Sequence, residues 1–119
     1  MDKQPAKVDV AVLILFFNRP ERLKEVFDEV RKARPSRLFL YQDGPRGGHD
    51  IAGIEACRRV VEDIDWECDV RRMYQQRNYG CDPSEYISQK WAFHPLNPWN
   101  DTICLDCSIV SKPAFKIII

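Results

Sequence analysis

Val10-Ala-Val-Leu-Ile-Leu-Phe-Phe17, followed at once by Asn18-Arg19-Pro20, is the stretch on which the fold turns. An unbroken apolar run rich in branched and aromatic residues suits a strand covered on both faces, and therefore a central strand of a parallel sheet. Asn18 and Pro20 mark a turn into a helix, with proline at an early position where a missing N–H costs nothing. Leu23, Val26, Phe27 and Val30 follow at i, i+3, i+4 and i+7, one apolar stripe that packs the helix on the sheet.

Outward from that unit the pattern repeats. Pro35 is read as closing the helix, and Arg37-Leu-Phe-Leu-Tyr41 as a second strand that stops at Asp43-Gly44-Pro45, with Gly47 and Gly48 extending the loop. A second helix carries Ile54, Cys57, Val61 and Ile64 on one face and is expected to end near Asp65-Trp66. Residues 68 to 74 form a weaker third strand, with Cys68, Val70 and Arg72 alternating against Asp69 and Arg71. After the loop Arg77-Asn-Tyr-Gly-Cys81, Asp82-Pro-Ser-Glu85 predicts a helix start with Asp82 as N-cap, Pro83 at N1 and Glu85 at N3. Tyr86, Ile87 and Trp91 are its expected apolar face. Residues 94 to 100 read as a loop and 102 to 106 as a short fourth strand.

Alternating strands and helices predict an α/β fold: an open, mostly parallel sheet with flanking helices and right-handed crossovers, in one domain spanning residues 1–119. Such sheets bind ligands at the carboxyl ends of their strands, which places the loops after Phe17, Tyr41, Gln75 and Leu105 on one rim.

Composition narrows the partners. Apolar residues make up 45% of the chain and charged residues 30%, which excludes wholesale disorder. Eighteen Lys and Arg balance eighteen Asp and Glu, so no global field draws the chain to nucleic acid or an anionic membrane. The apolar run is too short to span a bilayer and the N-terminus is polar, so the expected location is cytoplasmic. Cys57, Cys68, Cys81, Cys104 and Cys107 are an odd set in a chain without a secretory signal, and predict free thiols. Cys104 and Cys107 have the spacing of half a zinc site, but neither a second pair of cysteines nor a close pair of histidines completes it.

Taken together, Phe-Phe-Asn-Arg-Pro-Glu-Arg-Leu (16 to 23), Tyr-Gln-Asp-Gly-Pro (41 to 45), Arg-Asn-Tyr-Gly-Cys (77 to 81) and Leu-Asp-Cys-Ser-Ile-Val (105 to 110) resemble family 2 glycosyltransferases of the GT-A, nucleotide-diphospho-sugar transferase-like fold. The resemblance covers roughly residues 9 to 115. It implies that the turn Asn18-Arg19 lies against the nucleotide of a nucleoside diphosphate sugar, and that Asp43 accepts a hydrogen bond from a ring N–H of the base. Gly44 would let the backbone approach that base, and loss of the Asp43 carboxylate would leave folding almost unchanged. Arg77, Asn78 and Gly80 correspond to the family's Asn-x-Gly element, where a helix N-terminus and Arg77 face the diphosphate.

The resemblance also implies a divalent metal, Mn²⁺ or Mg²⁺, on an acidic cluster of the fourth strand. Against the flanking Val110, Pro113 and Phe115 that cluster reads Asp106, Cys107 and Ser108. A single carboxylate beside a thiol and a hydroxyl holds a hard cation poorly, so Asp106 is the one metal ligand expected and metal dependence should be slight. The family's general base and acceptor site lie beyond this motif, and no catalytic residue is nominated. The apolar ending Phe-Lys-Ile-Ile-Ile119 reads as that of a truncated chain, incomplete at the C-terminus, whose unpaired tail promotes self-association.

Two functions compete on these terms. One is a glycosyltransferase-type domain that binds a nucleoside diphosphate sugar for transfer to an unknown acceptor. The other is a non-catalytic remnant serving as a binding or assembly module. A dinucleotide-binding fold is set aside because Asn18-Arg19-Pro20-Glu21 lacks a Gly-rich turn, and a phosphate-loop nucleotidase because no Gly-x-x-x-x-Gly-Lys stretch occurs.

Overall fold

The computed structural model describes residues 3–92, 103–104 and 117–118. Among these residues, five parallel strands and three α-helices follow in the order β1 (Val8–Phe16), α1 (Pro20–Ala33), β2 (Pro35–Gln42), α2 (Ile51–Glu62), β3 (Asp69–Tyr74), α3 (Cys81–Ala92), β4 (Ile103–Cys104) and β5 (Ile117–Ile118). The strand order is β3-β2-β1-β4, with β5 also on β1.

β1 is central, as its composition demands. Val12, Ile14 and Phe16 point to one face and pack with Leu23, Phe27 and Val30 of α1 and Cys57 and Val61 of α2. Ala11, Leu13 and Leu15 point to the other and meet Ala92, Ile87 and Trp91 of α3. Period-two alternation thus places two helices on one face of the sheet and one on the other. From β1 the chain steps outward through β2 to β3, then returns by α3 to β4 on the opposite side of β1. The reversal falls beside β1.

Several boundaries differ from the sequence reading. Pro35 opens β2, where a first-position proline removes no needed donor, and Arg34 ends α1 by adopting the left-handed region at φ 46° while its N–H bonds the Val30 carbonyl at 2.9 Å. α2 stops at Glu62, short of Asp65-Trp66. Trp66 instead lies fully buried, its indole N–H donating to the Pro35 carbonyl at 2.8 Å and its ring against Phe27. Arg31 secures the same end of the molecule by bonding the Asp63 carbonyl at 2.9 Å and pairing with Asp65 at 3.2 Å.

α3 corrects the sequence reading most. It begins at Cys81, and the Ser84 N–H bonds the Gly80 carbonyl at 3.1 Å, so Gly80 rather than Asp82 occupies the cap position. The buried positions are Ser84, Ser88 and Ala92, flanked by half-buried Ile87 and Trp91. Tyr86 is 63% exposed, with the Lys90 ammonium over its ring. In β3, Arg72 is exposed beside Arg71, because this strand lies at the end of the described sheet order with only a partial apolar cover.

Of the predicted fourth strand, Ile103 and Cys104 pair with Val12 and Leu13. Ile117 and Ile118 pair with Ile14 and Leu15, so the apolar tail does find a partner within its own sheet. Among the described residues, no helix is long and apolar enough to cross a membrane.

Candidate functional site

The order reversal beside β1 leaves a gap between the loops that leave the carboxyl ends of the strands, the position where open parallel sheets take ligands. A cleft of about 570 Å³ lies there, lined by Leu15 to Arg19 from β1 and its turn, Tyr41, Asp43 and Arg46 from the end of β2, and Asn78, Gly80, Cys81 and Ser84 from the start of α3. Two helices, α1 and α3, begin beside this cleft, which Arg19 lines at the start of the first and Gly80 and Cys81 at the start of the second.

Asp43 holds one wall together. One carboxylate oxygen accepts from the Gly44 and Tyr79 N–H groups, each at 2.9 Å. The other accepts from Asn78 Nδ2 and the Gly80 N–H, each at 3.0 Å. Asn78 Nδ2 also donates to the Gly44 carbonyl at 2.9 Å. Four donors occupy the four lone-pair directions of this carboxylate, which is 6% exposed. Asp43 is thus engaged in a joint between the two loops, a role its reading as a base acceptor does not include.

Gly44 serves the same joint. A Cβ at Gly44 would collide with the Arg77 backbone, so the close approach of the loop at residue 77 requires the glycine. Gly80 completes the turn into α3 at φ 90°.

A second buried carboxylate does for the opposite wall what Asp43 does for the first. Asp50 ends a single 3-10 turn, Gly48–Asp50, and is 1% exposed. One oxygen accepts from Asn18 Nδ2 at 2.8 Å and from Arg46 Nη2 at 2.9 Å. The other accepts from the Arg46 N–H at 2.8 Å and from Arg46 Nε at 2.9 Å. The Arg46 guanidinium holds the Asp50 carboxyl well below the usual carboxylate range. Arg46 also lies over the Phe17 ring, 5.2 Å from its centroid.

Behind the cleft, the Tyr41 hydroxyl donates to Ser84 Oγ at 3.1 Å, and burial pushes its phenol above the ordinary value. Gln42 is fully buried: its Nε2 donates to the Phe17 carbonyl at 2.8 Å and the Ile54 carbonyl at 3.1 Å, and its Oε1 accepts from Arg58 Nε at 2.7 Å.

Comparison with family models, with curated proteins and with solved structures gives no match. The site therefore stands on its own geometry. Of the residues selected from the sequence, Asn18, Arg19, Asp43, Asn78 and Gly80 line the cleft together. Gly44 and Arg77 do not line it, and the exposed Arg77 guanidinium lies over the Tyr79 ring, 4.6 Å from its centroid, rather than toward a diphosphate. Asp106 lies outside the described residues, as do Cys107 and Ser108.

No group of three or more His, Cys, Asp or Glu side chains suited to a metal ion occurs among the described residues. The Asp43 and Asp50 carboxylates are filled with N–H donors, so neither offers a divalent cation an open oxygen. The described part of the cleft does not fit a metal.

Arg46, Asp50, Tyr41, Cys81 and Ser84 escaped the sequence reading. Arg46 and Asp50 have Gly47 and Gly48 between them in a loop, where a spacing of four carries no helical ion-pair signal. Nothing local announces Tyr41 with Ser84, 43 residues apart in sequence. Cys57, Cys68 and Cys81 are free, and only Cys81 is exposed among these three.

Proposed function

We propose that the chain binds a nucleoside diphosphate sugar in the cleft beside the end of β1, as the donor-binding part of a glycosyltransferase of the GT-A type whose acceptor is unknown. The observation that carries this reading is the meeting of three sequence-distant segments, Asn18-Arg19, Asp43 and Asn78 to Gly80, at one cleft where the strand order reverses. Those are the segments on which the sequence resemblance rests.

The chemistry supports it. The positive ends of the α1 and α3 dipoles, with Arg19 at the cap of α1, favour an anion such as a diphosphate at this end of the cleft. In this reading Asp43 acts on the ligand indirectly, by fixing the Asn78-to-Gly80 backbone, since a base N–H could reach its carboxylate only by displacing a donor already there.

Calorimetric titration of the chain with UDP, GDP and ADP tests the proposal. One of them is expected to bind at a single site and to lose that binding in Cys81→Trp, which fills the cleft from an exposed position. Absence of binding by all three at millimolar concentration, or binding that survives Cys81→Trp in a folded variant, would overturn it.

A further inference from the structure

We infer that Arg46 is a stacking platform for a planar heteroaromatic ring, and so a residue that selects the base of the bound nucleotide rather than its phosphates; the inference rests on the nucleotide reading of the cleft. Three observations fix the side chain. Nε and Nη2 bond the two oxygens of Asp50, each at 2.9 Å, and this two-point contact sets the plane of the guanidinium. The Arg46 backbone N–H bonds the same carboxylate at 2.8 Å, so the residue is anchored at both ends. Phe17 supports one side of the guanidinium, 5.2 Å from Cζ to the ring centroid.

More than half of the side chain remains open. The Arg46 side chain is 55% exposed although its carboxylate partner is 1% exposed, and both Arg46 and Phe17 line the cleft. A guanidinium whose charge is matched by a buried carboxylate is a weak lure for phosphate. Fixed by Asp50 and more than half exposed, it remains a planar π-surface on which a base would stack. Arg46 and Phe17 would then lie in series under the base, while the diphosphate reaches the starts of α1 and α3.

Arg46→Lys keeps the charge and removes the plane. Its expected effect is a loss of about tenfold in affinity for whichever of UDP, GDP and ADP the parent binds, with the affinity for inorganic pyrophosphate unchanged. Phe17→Leu keeps the Arg46–Asp50 contact and removes the support, and is expected to weaken the same nucleotides by a smaller factor. Etheno-ADP, whose base fluoresces, should be quenched on binding the parent and not on binding Arg46→Lys. Circular dichroism and thermal unfolding establish that each variant folds, and Phe17→Leu carries the test if Arg46→Lys does not.

Equal loss of pyrophosphate and nucleotide affinity in Arg46→Lys would make Arg46 a phosphate ligand and overturn the platform, while nucleotide binding by the parent would keep the wider proposal standing. A parent that binds pyrophosphate but no nucleoside diphosphate would overturn both.

Discussion

Asp43 was legible in the sequence as a residue at the right place on the rim, and illegible in its partners. Asn78, Tyr79 and Gly80 are 35 to 37 residues away, and a carboxylate at a strand end gives no local hint that it faces inward toward a second loop. The energetic consequence reverses with the geometry. Asp43→Ala would leave the Gly44, Tyr79 and Gly80 amides without their acceptor, and it is expected to lower unfolding stability by about 2–3 kcal/mol without any ligand present. Asp43→Asn should fall between the two, because an amide NH₂ would confront donors where an oxygen accepted them. Chemical denaturation of the three proteins measures this. Equal midpoints for parent and Asp43→Ala would mean that water replaces the carboxylate at no cost.

At the scale of the element, legibility follows how local the determining residues are. β1 and α1 declared themselves because their signals are long and self-contained: an apolar run in one, a 3.6-residue stripe in the other. α3 misled because its inward positions are small and polar. Ser84 is buried because Tyr41 meets it with a hydroxyl, and Ser88 because its own hydroxyl bonds the Glu85 carbonyl at 3.0 Å; neither reads as apolar in a helical pattern. Pro35 hides the start of β2 because proline reads as a helix terminator, whereas Arg34 closes the helix in a conformation that disfavours a side chain. That strain is removable. Arg34→Gly is expected to stabilise the protein by roughly 0.5–1 kcal/mol, despite loss of the exposed Arg34–Gln4 contact. A lower thermal midpoint in the glycine variant would show that the side-chain contact outweighs the backbone cost.

For the molecule as a whole, burial of thiols and phenols sets an alkaline limit. Burial pushes the Cys57 thiol from 9.0 up to about 11, and does the same to Cys68. Both values are raised, so the stability they contribute is complete below pH 9, where both states keep their protons. It is lost as pH rises toward 11, because the unfolded chain releases protons that the folded chain retains. Tyr41 and Tyr74, also raised by burial, act in the same direction above pH 10. The thermal midpoint should fall between pH 9 and 11, less steeply in Cys57→Ala. A midpoint unchanged over that window would contradict the assignment.

Metal dependence belongs to the same scale, because it depends on what every described segment brings to the cleft. With the Asp43 and Asp50 carboxylates committed to N–H donors, UDP affinity is expected to differ little between Mn²⁺ and EDTA. A large difference would place the ligands on residues outside the described part of the chain.

The two carboxylate joints also bear on how such a chain can change over generations. Asp43 answers to Asn78, and Asp50 to Asn18 and Arg46, across gaps of 35 and 32 residues for the asparagine partners. A descendant that replaced Asp43 by a neutral residue would weaken the demand on Asn78, which keeps only its bond to the Gly44 carbonyl, so positions 43 and 78 should drift together while Gly44 stays fixed by the Arg77 backbone. Asp50, Asn18 and Arg46 form a separate linkage group. Relatives should therefore show two blocks of correlated substitution around one cleft, each inherited as a unit and each able to vary while the other holds.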